Sequence, residues 1–251
     1  MKVVFHDDFY QVYTADPAAG QGRMQAVMEV IQPQAELVAP KPASNQAILA
    51  AHSAAHVAWV ESRGLYHIAS LAAGGALLAA EIGLSEPAMG LIRPPGHHAS
   101  RDSAWGFCYF NNMAVALMEL KRLGKFDNAF VLDIDLHYGD GTVNILEGRD
   151  WATVYNVEER TREPYLDEVT QVMNDCQADM IGISAGFDMA QEDWGDVLAT
   201  EDYRRIGNMV SRAAKRIGGG CFAILEGGYN HEVLGHNVLA LMQGMEEGWG
   251  D

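Results

Sequence analysis

Acidic and imidazole side chains are concentrated in one stretch of the sequence, VLDIDLHYGDGT. An apolar run, typical of a buried strand, leads to Asp133, Asp135 and His137, with Asp140 following. Because side chains alternate along a strand, the first three are expected on one face. Polar groups at the end of a buried strand cost free energy unless something binds them, so the stretch predicts a divalent metal site. The alternative is a strand end whose carboxylates cap the next helix.

Three more segments place chemically active residues at predicted strand ends or in a long loop. GHH supplies His97 and His98, and SAGFD supplies Asp188. LEGGYN supplies Tyr229. Each signal is weak alone, since the histidines suit an exposed surface, the aspartate a helix cap and the tyrosine core packing. Because open α/β sheets place their sites at the carboxyl ends of the strands, the four segments together predict one site.

Strand and helix alternate along the chain, and this alternation predicts the framework that holds the site residues. It is typical of a three-layer α/β/α sandwich around a mostly parallel central sheet. No internal repeat or linker divides the sequence, so a single domain over residues 1–251 is expected. The predicted strands are 2–6, 88–92, 129–132, 153–157, MIGISAGFD and CFAILEGGYN. The predicted helices are 24–31, 44–59, 66–82, 112–123, one after Thr142, 165–176, 201–217 and one ending near Gly244.

The composition is that of an ordinary globular protein, with 49% hydrophobic and 20% charged residues. A formal net charge of −17 argues against nucleic acid and anionic membranes as partners, and it is compatible with a cationic substrate. The three cysteines are far apart, so neither a disulfide framework nor a thiolate zinc site is predicted. Neither a signal peptide nor a membrane span is recognisable, and we expect a cytoplasmic protein.

Five motifs, IRPPGHHA, GFCYFNN, VLDIDLHYGDGT, SAGFD and LEGGYN, resemble those of the metal-dependent histone deacetylase and acetylpolyamine amidohydrolase superfamily. They stand in the family order, and the resemblance covers the chain from about Pro40 to the C-terminus. It implies an arginase-like and deacetylase-like fold. It also implies an amidohydrolase that converts an N-acetyl or other acyl amide of lysine or a polyamine to a carboxylate and a free amine.

The resemblance implies that Asp135, His137 and Asp188 are metal ligands. Zn²⁺ is the ion expected from the family, and Fe²⁺ also suits two carboxylates and an imidazole. Such an ion polarises the amide carbonyl and lowers the pKa of the water it binds.

The resemblance also implies roles for the residues around the metal. His98 matches the general base that activates water, and His97 matches its electrostatic neighbour. Asp140 and Asp133 match the carboxylates that orient His98 and His97, respectively. Tyr229 matches the hydrogen-bond donor to the developing oxyanion.

Substrate contacts are implied in the same way. Gly106 and Phe107 match the tunnel wall that holds the stem of the acylated amine, and Gly227 lies beside the oxyanion donor. With a one-residue gap, Asp196 aligns with a gatekeeper carboxylate of polyamine-deacetylating relatives. A solvated loop acid is the alternative for Asp196.

A structural K⁺ or Na⁺ is a further implication of the resemblance. Its ligands would be main-chain carbonyls around Asp133, Asp135 and His137, together with the Asp133 side chain. Asn156 and Val157 follow the next predicted strand at the matching place.

Three loops that shape the substrate entrance in the family are reduced here. TADPAAGQGRM stands in place of a His-Pro-Glu type motif, ESRG directly follows Val60, and EERTREP replaces an aromatic and glycine-rich loop. We expect intact chemistry but leave the substrate open. The site either accepts bulky acyl groups or protein lysines, or is completed by a partner subunit in a homo-oligomer.

Other aromatic and imidazole residues near the motifs have simpler interpretations. Packing is the expected role of Trp105, Trp194 and Tyr109, with contacts at the rim of the site as the alternative. His52 and His56 are four residues apart, a spacing that can bind metal on a helix. Because the sequence HSAAH lacks the glutamate of a HExxH motif, we expect them to be structural.

Two other functions compete with the deacylase. An arginase-like ureohydrolase is disfavoured, because a two-manganese site needs more aspartates and would leave Tyr229 without a role. A protein that binds acylated amines without turning them over is the other alternative. The reduced loops leave it open, and the full set of base, orienting carboxylates and oxyanion donor counts against it.

Overall fold

Strands and helices alternate in the computed structural model, which describes residues 1–250. Its strands are β1 (Lys2–Val4), β2 (Glu36–Val38), β3 (Ala88–Gly90), β4 (Ala129–Asp133), β5 (Ala152–Asn156), β6 (Met180–Ala185) and β7 (Gly220–Leu225). Its α-helices are α1 (Arg23–Ile31), α2 (Asn45–Ala51), α3 (Ala54–Ser62), α4 (Tyr66–Gly83), α5 (Asn112–Arg122), α6 (Asp140–Leu146), α7 (Arg162–Asp175), α8 (Thr200–Arg216) and α9 (His231–Gly250).

The strands form one parallel sheet in the order β2-β1-β3-β7-β6-β4-β5. Strands β4, β6 and β7 are buried along their whole length, as expected for apolar strands covered on both faces. Helices α4 and α8 both pack on the central strand β7. Helix α4 belongs to a group with α2 and α5, and α8 to a group with α1, α7 and α9. The predicted three-layer α/β/α sandwich is confirmed, and its sheet is wholly parallel.

The strand order brings the predicted site segments to one edge of the sheet. Strands β7, β6 and β4 are neighbours and parallel, so their carboxyl ends lie side by side. These ends lead directly into Tyr229, Asp188 and Asp135, respectively. The loop 91–111, which carries the histidine pair, follows β3, the other neighbour of β7.

The predicted helix over 44–59 is two helices, because the chain is extended at His52. Ser44 caps α2 and Ser53 caps α3, each accepting a backbone N–H from three residues on, at 3.1 and 3.3 Å. Strand β2 was not predicted, since it is a three-residue edge strand without an alternating apolar pattern.

Helix α9 continues to Gly250 instead of ending near Gly244. At Gly244 a Cβ atom would lie 1.9 Å from the carbonyl oxygen of Arg204 in α8. This glycine therefore permits a close approach of two helices and is not a helix stop. Within residues 1–250, no helix combines the length and the apolar character needed to cross a membrane.

Candidate active site

The loop after β4 is shaped by aspartate side chains that accept backbone N–H groups. The Oδ1 atom of Asp133 accepts from Asp135 N at 3.1 Å, and Oδ1 of Asp135 accepts from His137 N at 2.9 Å. These turns take the chain out of the sheet, because they replace ladder hydrogen bonds. The strand alternation expected to place Asp135 and His137 on one face therefore does not apply to them, since β4 ends at Asp133.

Asp135, His137 and Asp188 nevertheless come together, with one ligand-type atom from each lying within 4.8 Å of the others. His137 Nδ1 lies 3.2 Å from Asp135 Oδ1 and 3.2 Å from Asp188 Oδ2. Both carboxylates are buried, whereas the imidazole is 39% exposed. The other oxygen of each carboxylate accepts a backbone N–H group. Gly227 N donates to Asp135 Oδ2 at 2.9 Å, and Leu136 N donates to Asp188 Oδ1 at 3.0 Å.

These three residues fit a divalent cation. Asp188 Oδ2 is buried and lacks a well-aligned hydrogen bond within the described chain. Burial and the neighbouring Asp135 raise the pKa of Asp188 to about 6. The adjacent carboxylates of Asp135 and Asp188 raise the pKa of His137 to about 10. The backbone at Gly186 passes close to the Asp135 carboxylate, and a Cβ atom there would lie 2.2 Å from Asp135 Oδ2. Only glycine fits at this position.

Two histidine–aspartate pairs lie beside the three-residue cluster. His97 Nδ1 is 3.2 Å from Asp133 Oδ2, and His98 Nδ1 is 2.7 Å from Asp140 Oδ1. Because a carboxylate only accepts, each Nδ1 carries a proton, and a neutral His98 therefore has its lone pair on Nε2.

The two imidazoles differ in pKa although their partners are alike. Burial opposes protonation of His97, but the carboxylates of Asp135 and Asp133 outweigh it and raise its pKa well above the usual value. Burial and the adjacent charge of His97 lower the pKa of His98 to about 4, against the pull of Asp140. At neutral pH the site thus pairs a charged His97 with a neutral His98.

Tyr229 follows β7 after Gly228, which has a φ of 107°. The Oδ2 atom of Asp193 accepts from the backbone N–H groups of Tyr229 and Asn230, at 2.6 and 2.8 Å. The Tyr229 ring stacks on Trp194, with ring centroids 4.1 Å apart. Burial and nearby carboxylates raise the pKa of the hydroxyl far above its usual value, so it is a hydrogen-bond donor at every physiological pH.

A cavity of about 110 Å³ joins these groups, and it is lined by His97, His98, His137 and Tyr229 together with the predicted Gly106, Phe107 and Gly227. Asp196 is not among the lining residues. It is exposed and has a left-handed φ of 51°. A larger cavity of about 620 Å³ lies between β5 and α7, away from the histidine pair and the cluster. We place the site in the smaller cavity, because the groups able to do chemistry converge there.

Trp105 and Trp194 lie against His98 and Tyr229, respectively, at the rim of the cavity rather than in the core. Both side chains line the cavity and are 55% and 52% exposed, so the alternative of rim contacts applies. Tyr109 does pack, with its ring stacked on Trp59 at a centroid distance of 6.3 Å.

His52 and His56 have the predicted structural role. His52 Nδ1 donates to the carbonyl oxygen of Ser100 and Nε2 accepts from the backbone N–H of Asn111, both at 2.9 Å. Burial lowers the pKa of His52 to about 3, which keeps the ring neutral as this pairing requires. His56 Nε2 lies 2.7 Å from the carbonyl oxygen of Tyr109. The two rings therefore secure the loop that carries His97 and His98.

Two buried charged residues at the site were missed from the sequence. Arg23 donates to the carbonyl oxygens of Glu226 and Gly228, both at 2.8 Å, and its guanidinium lies 5.5 Å from the centre of the Tyr229 ring. The Glu226 carboxylate accepts from Gly96 N at 2.6 Å. Glu226 could have been found from the sequence, because it is a charged residue directly after the apolar run CFAIL. The residues around Arg23 contain no comparable signal.

The positions predicted for a monovalent cation lie where β4 meets β5. Asp133 pairs with Asn156, and Val157 N donates to the carbonyl oxygen of Asp133 at 3.2 Å. The Asn156 side chain accepts from Gly139 N at 2.7 Å. K⁺ or Na⁺ at these positions, around Asp133, Asp135 and His137, stays a prediction.

Comparisons with known proteins agree with this geometry. A family model described as the histone deacetylase domain matches residues 59–165 and 156–245. A probable deacetylase of Methanothermobacter thermautotrophicus is 30% identical, in an alignment covering 97% of this chain and 90% of the relative. That alignment spans 303 positions against 251 residues here, so the relative has segments that this chain lacks.

Two further matches bear on the family and on the fold. Acetylpolyamine amidohydrolase 1 of Pseudomonas aeruginosa is 30% identical, covering 63% of this chain and 56% of that protein. The crystal structure of the HDA15 HD domain superimposes with a TM-score of 0.82 at 22% identity, covering 98% of this chain and 89% of that one, and shows the shared fold. Together with the family model, these findings show that the chain belongs to the histone deacetylase domain family, as an enzyme of the deacetylase and amidohydrolase type.

Proposed function

We propose that this enzyme hydrolyses the amide bond of an N-acetylated amine, an acetyl-lysine or an acetylpolyamine, to acetate and the free amine. One observation supports this function above all others. The neutral His98, the three-residue cluster and the Tyr229 ring all border one cavity of about 110 Å³. A general base, a site for a Lewis acid and an oxyanion donor are the three groups that amide hydrolysis requires.

Asp135, His137 and Asp188 would hold a divalent cation, Zn²⁺ or Fe²⁺. Its Lewis acidity would polarise the amide carbonyl and make water easier to deprotonate. The half-exposed edge of His137 leaves the substrate side of this cluster open to the cavity.

His98 moves the proton. Its Nε2 atom accepts a proton from water as the water oxygen bonds to the carbonyl carbon. The same atom returns the proton to the amine nitrogen as the C–N bond breaks. Asp140 keeps the Nδ1 proton in place throughout, and burial together with the charge of His97 lowers the pKa of His98 and keeps it neutral between turnovers.

The Tyr229 hydroxyl donates a hydrogen bond to the carbonyl oxygen as negative charge develops on it. Such a donor contributes about 3–4 kcal/mol to the transition state. Asp193 holds the backbone of Tyr229 by a hydrogen bond, and Trp194 stacks on its ring. The hydroxyl is therefore positioned before the substrate binds.

The cavity and the charge of the chain favour a small acyl group on a cationic amine. A volume of about 110 Å³ suits an acetyl amide better than a long acyl chain. The net charge of −17 attracts a cationic substrate, and a relative at 30% identity is named an acetylpolyamine amidohydrolase.

A panel of acylated amines tests this function. The metal-free protein would be loaded with Zn²⁺, Fe²⁺ or Co²⁺ and assayed with acetylputrescine, acetylspermidine, acetyl-lysine peptides and longer acyl-lysines. We expect turnover of an acetylated member, lost on adding a chelator and regained on restoring the ion. Binding of these amines without turnover, at full metal occupancy, would instead support the alternative of a binding protein.

A further inference from the structure

Trp105 contacts both members of the His98–Asp140 pair. Its indole ring lies against the imidazole of His98, with centroids 3.8 Å apart and planes inclined by 30°. Its Nε1 atom donates to Asp140 Oδ2 at 2.9 Å, while His98 Nδ1 donates to Oδ1 of the same carboxylate at 2.7 Å. One carboxylate therefore joins the proposed base to a half-exposed tryptophan at the cavity rim.

The backbone next to Trp105 permits this close packing. Gly106 and Phe107 both have left-handed φ angles, 57° and 68°, which turn the chain sharply beside His98. A Cβ atom at Gly106 would lie 2.3 Å from Cδ2 of His98. Only a glycine after Trp105 lets the loop approach the imidazole this closely.

Asp140 needs a second partner more than Asp133 does. The Asp133 side chain is 1% exposed, and a backbone N–H, that of Asp135, fixes its second oxygen. The Asp140 side chain is 44% exposed. Within residues 1–250, the hydrogen bonds to its carboxylate come from His98 and Trp105. Without the indole, this carboxylate is free to turn towards water.

We propose that Trp105 is a positioning residue, which acts through Asp140 to hold His98 in the orientation and tautomer that proton transfer requires. The inference rests on the proposed function, since it concerns the base of that reaction. Its ring also closes the outer side of the imidazole against water, and burial is the main reason that His98 stays neutral.

Trp105→Phe separates the hydrogen bond from the ring. The phenyl group keeps an apolar surface over His98 but cannot donate to Asp140. We expect kcat to fall about tenfold, the lower end of what losing such an outer partner costs. KM should stay within about twofold, because the apolar cavity wall remains.

A double-mutant cycle shows whether the effect passes through Asp140. In the Asp140→Asn background, Trp105→Phe should change kcat by less than about twofold, since the carboxylate that it orients is gone. Trp151→Phe is the matched control: this tryptophan packs on Phe126, remote from the cavity, and its replacement should leave kcat unchanged. Thermal unfolding of each variant checks that the fold is intact.

Three results would overturn the inference in different ways. An unchanged kcat in a folded Trp105→Phe protein would show that the indole N–H does not matter. Equal fractional losses with and without the Asp140 carboxylate would show that Trp105 acts by another route. A wild-type enzyme that turns over no acetylated amine would refute the proposed function itself, and the role of Trp105 with it.

Discussion

Residues of the same type perform different tasks in this site because their surroundings differ. His97 and His98 each donate Nδ1–H to an aspartate, yet burial and neighbouring charge move their pKa values in opposite directions. Asp133 is enclosed, whereas Asp140 is half-exposed and shared with Trp105. Residue types and spacing in the sequence do not predict these differences in pKa and exposure.

Removing the Tyr229 hydroxyl should weaken catalysis and leave the fold unchanged. In Tyr229→Phe the ring can still stack on Trp194, so the loop keeps its anchor. We expect kcat to fall by about 10²–10³-fold with a similar KM, because an oxyanion donor acts mainly in the transition state. Steady-state kinetics on the best acetylated substrate measures this, and a kcat within threefold of wild type would exclude Tyr229 as the donor.

Glu226 should make stability depend on pH. Burial raises its pKa from 4.5 to about 7, against the opposing charge of His97. Between these values the folded protein retains a proton that the unfolded chain has lost, so this carboxyl destabilises the fold as pH rises. Glu226→Gln removes the ionisation while keeping an acceptor for Gly96 N.

Urea denaturation at pH 5 and pH 8 measures this effect. Relative to wild type, Glu226→Gln should gain about 1–3 kcal/mol in the free energy of unfolding on going from pH 5 to pH 8. Glu29→Gln, at an exposed position of α1, is the control. Its free energy of unfolding should differ from that of the wild type by the same amount at both pH values. If the free energy of unfolding of the two variants depends on pH in the same way, Glu226 is not a buried acid with a raised pKa.

At the scale of elements, the loops carry the residues of the candidate site, and the strand ends position these loops. The sequence predicted the strand ends correctly as the place of the site, because the apolar runs before Asp135 and Asp188 are unmistakable. It predicted the wrong local structure at Asp135, since side-chain acceptors captured backbone N–H groups that alternation assigns to the sheet. Arg23 was missed as a site residue because only long-range folding brings it to the site, 205 residues along the chain from Gly228.

The loop 91–111 should depend on His52 for its stability. His52→Leu removes a donor to Ser100 O and an acceptor for Asn111 N, both in buried surroundings. We expect a loss of about 2 kcal/mol in the free energy of unfolding, with reduced turnover in the folded fraction. His236→Leu, on the exposed face of α9, should change stability by less than about 0.5 kcal/mol. Equal effects of the two substitutions would refute the anchoring role of His52.

At the scale of the whole molecule, one parallel sheet brings distant parts of the chain to one edge. The fold class and the order of the motifs were both predicted, because alternation and apolar strand runs extend over the whole sequence. The reduced entrance loops were recognised in the sequence, but the shape of the entrance was not predicted, because it depends on where Trp105 and Trp194 lie in the folded chain. A homo-oligomer that completes this entrance stays a prediction.

The most direct measurement is acetate release as a function of metal occupancy. Metal-free enzyme would be titrated with Zn²⁺ in the presence of an acetylated amine, beside Asp188→Asn as a variant with one carboxylate of the cluster removed. We predict that the rate rises in proportion to the bound ion, saturates at about one ion per chain, and is lost in the folded variant. Acetate release that does not follow occupancy, or none when the site is filled, would contradict a metal-dependent deacetylase centred on Asp135, His137 and Asp188.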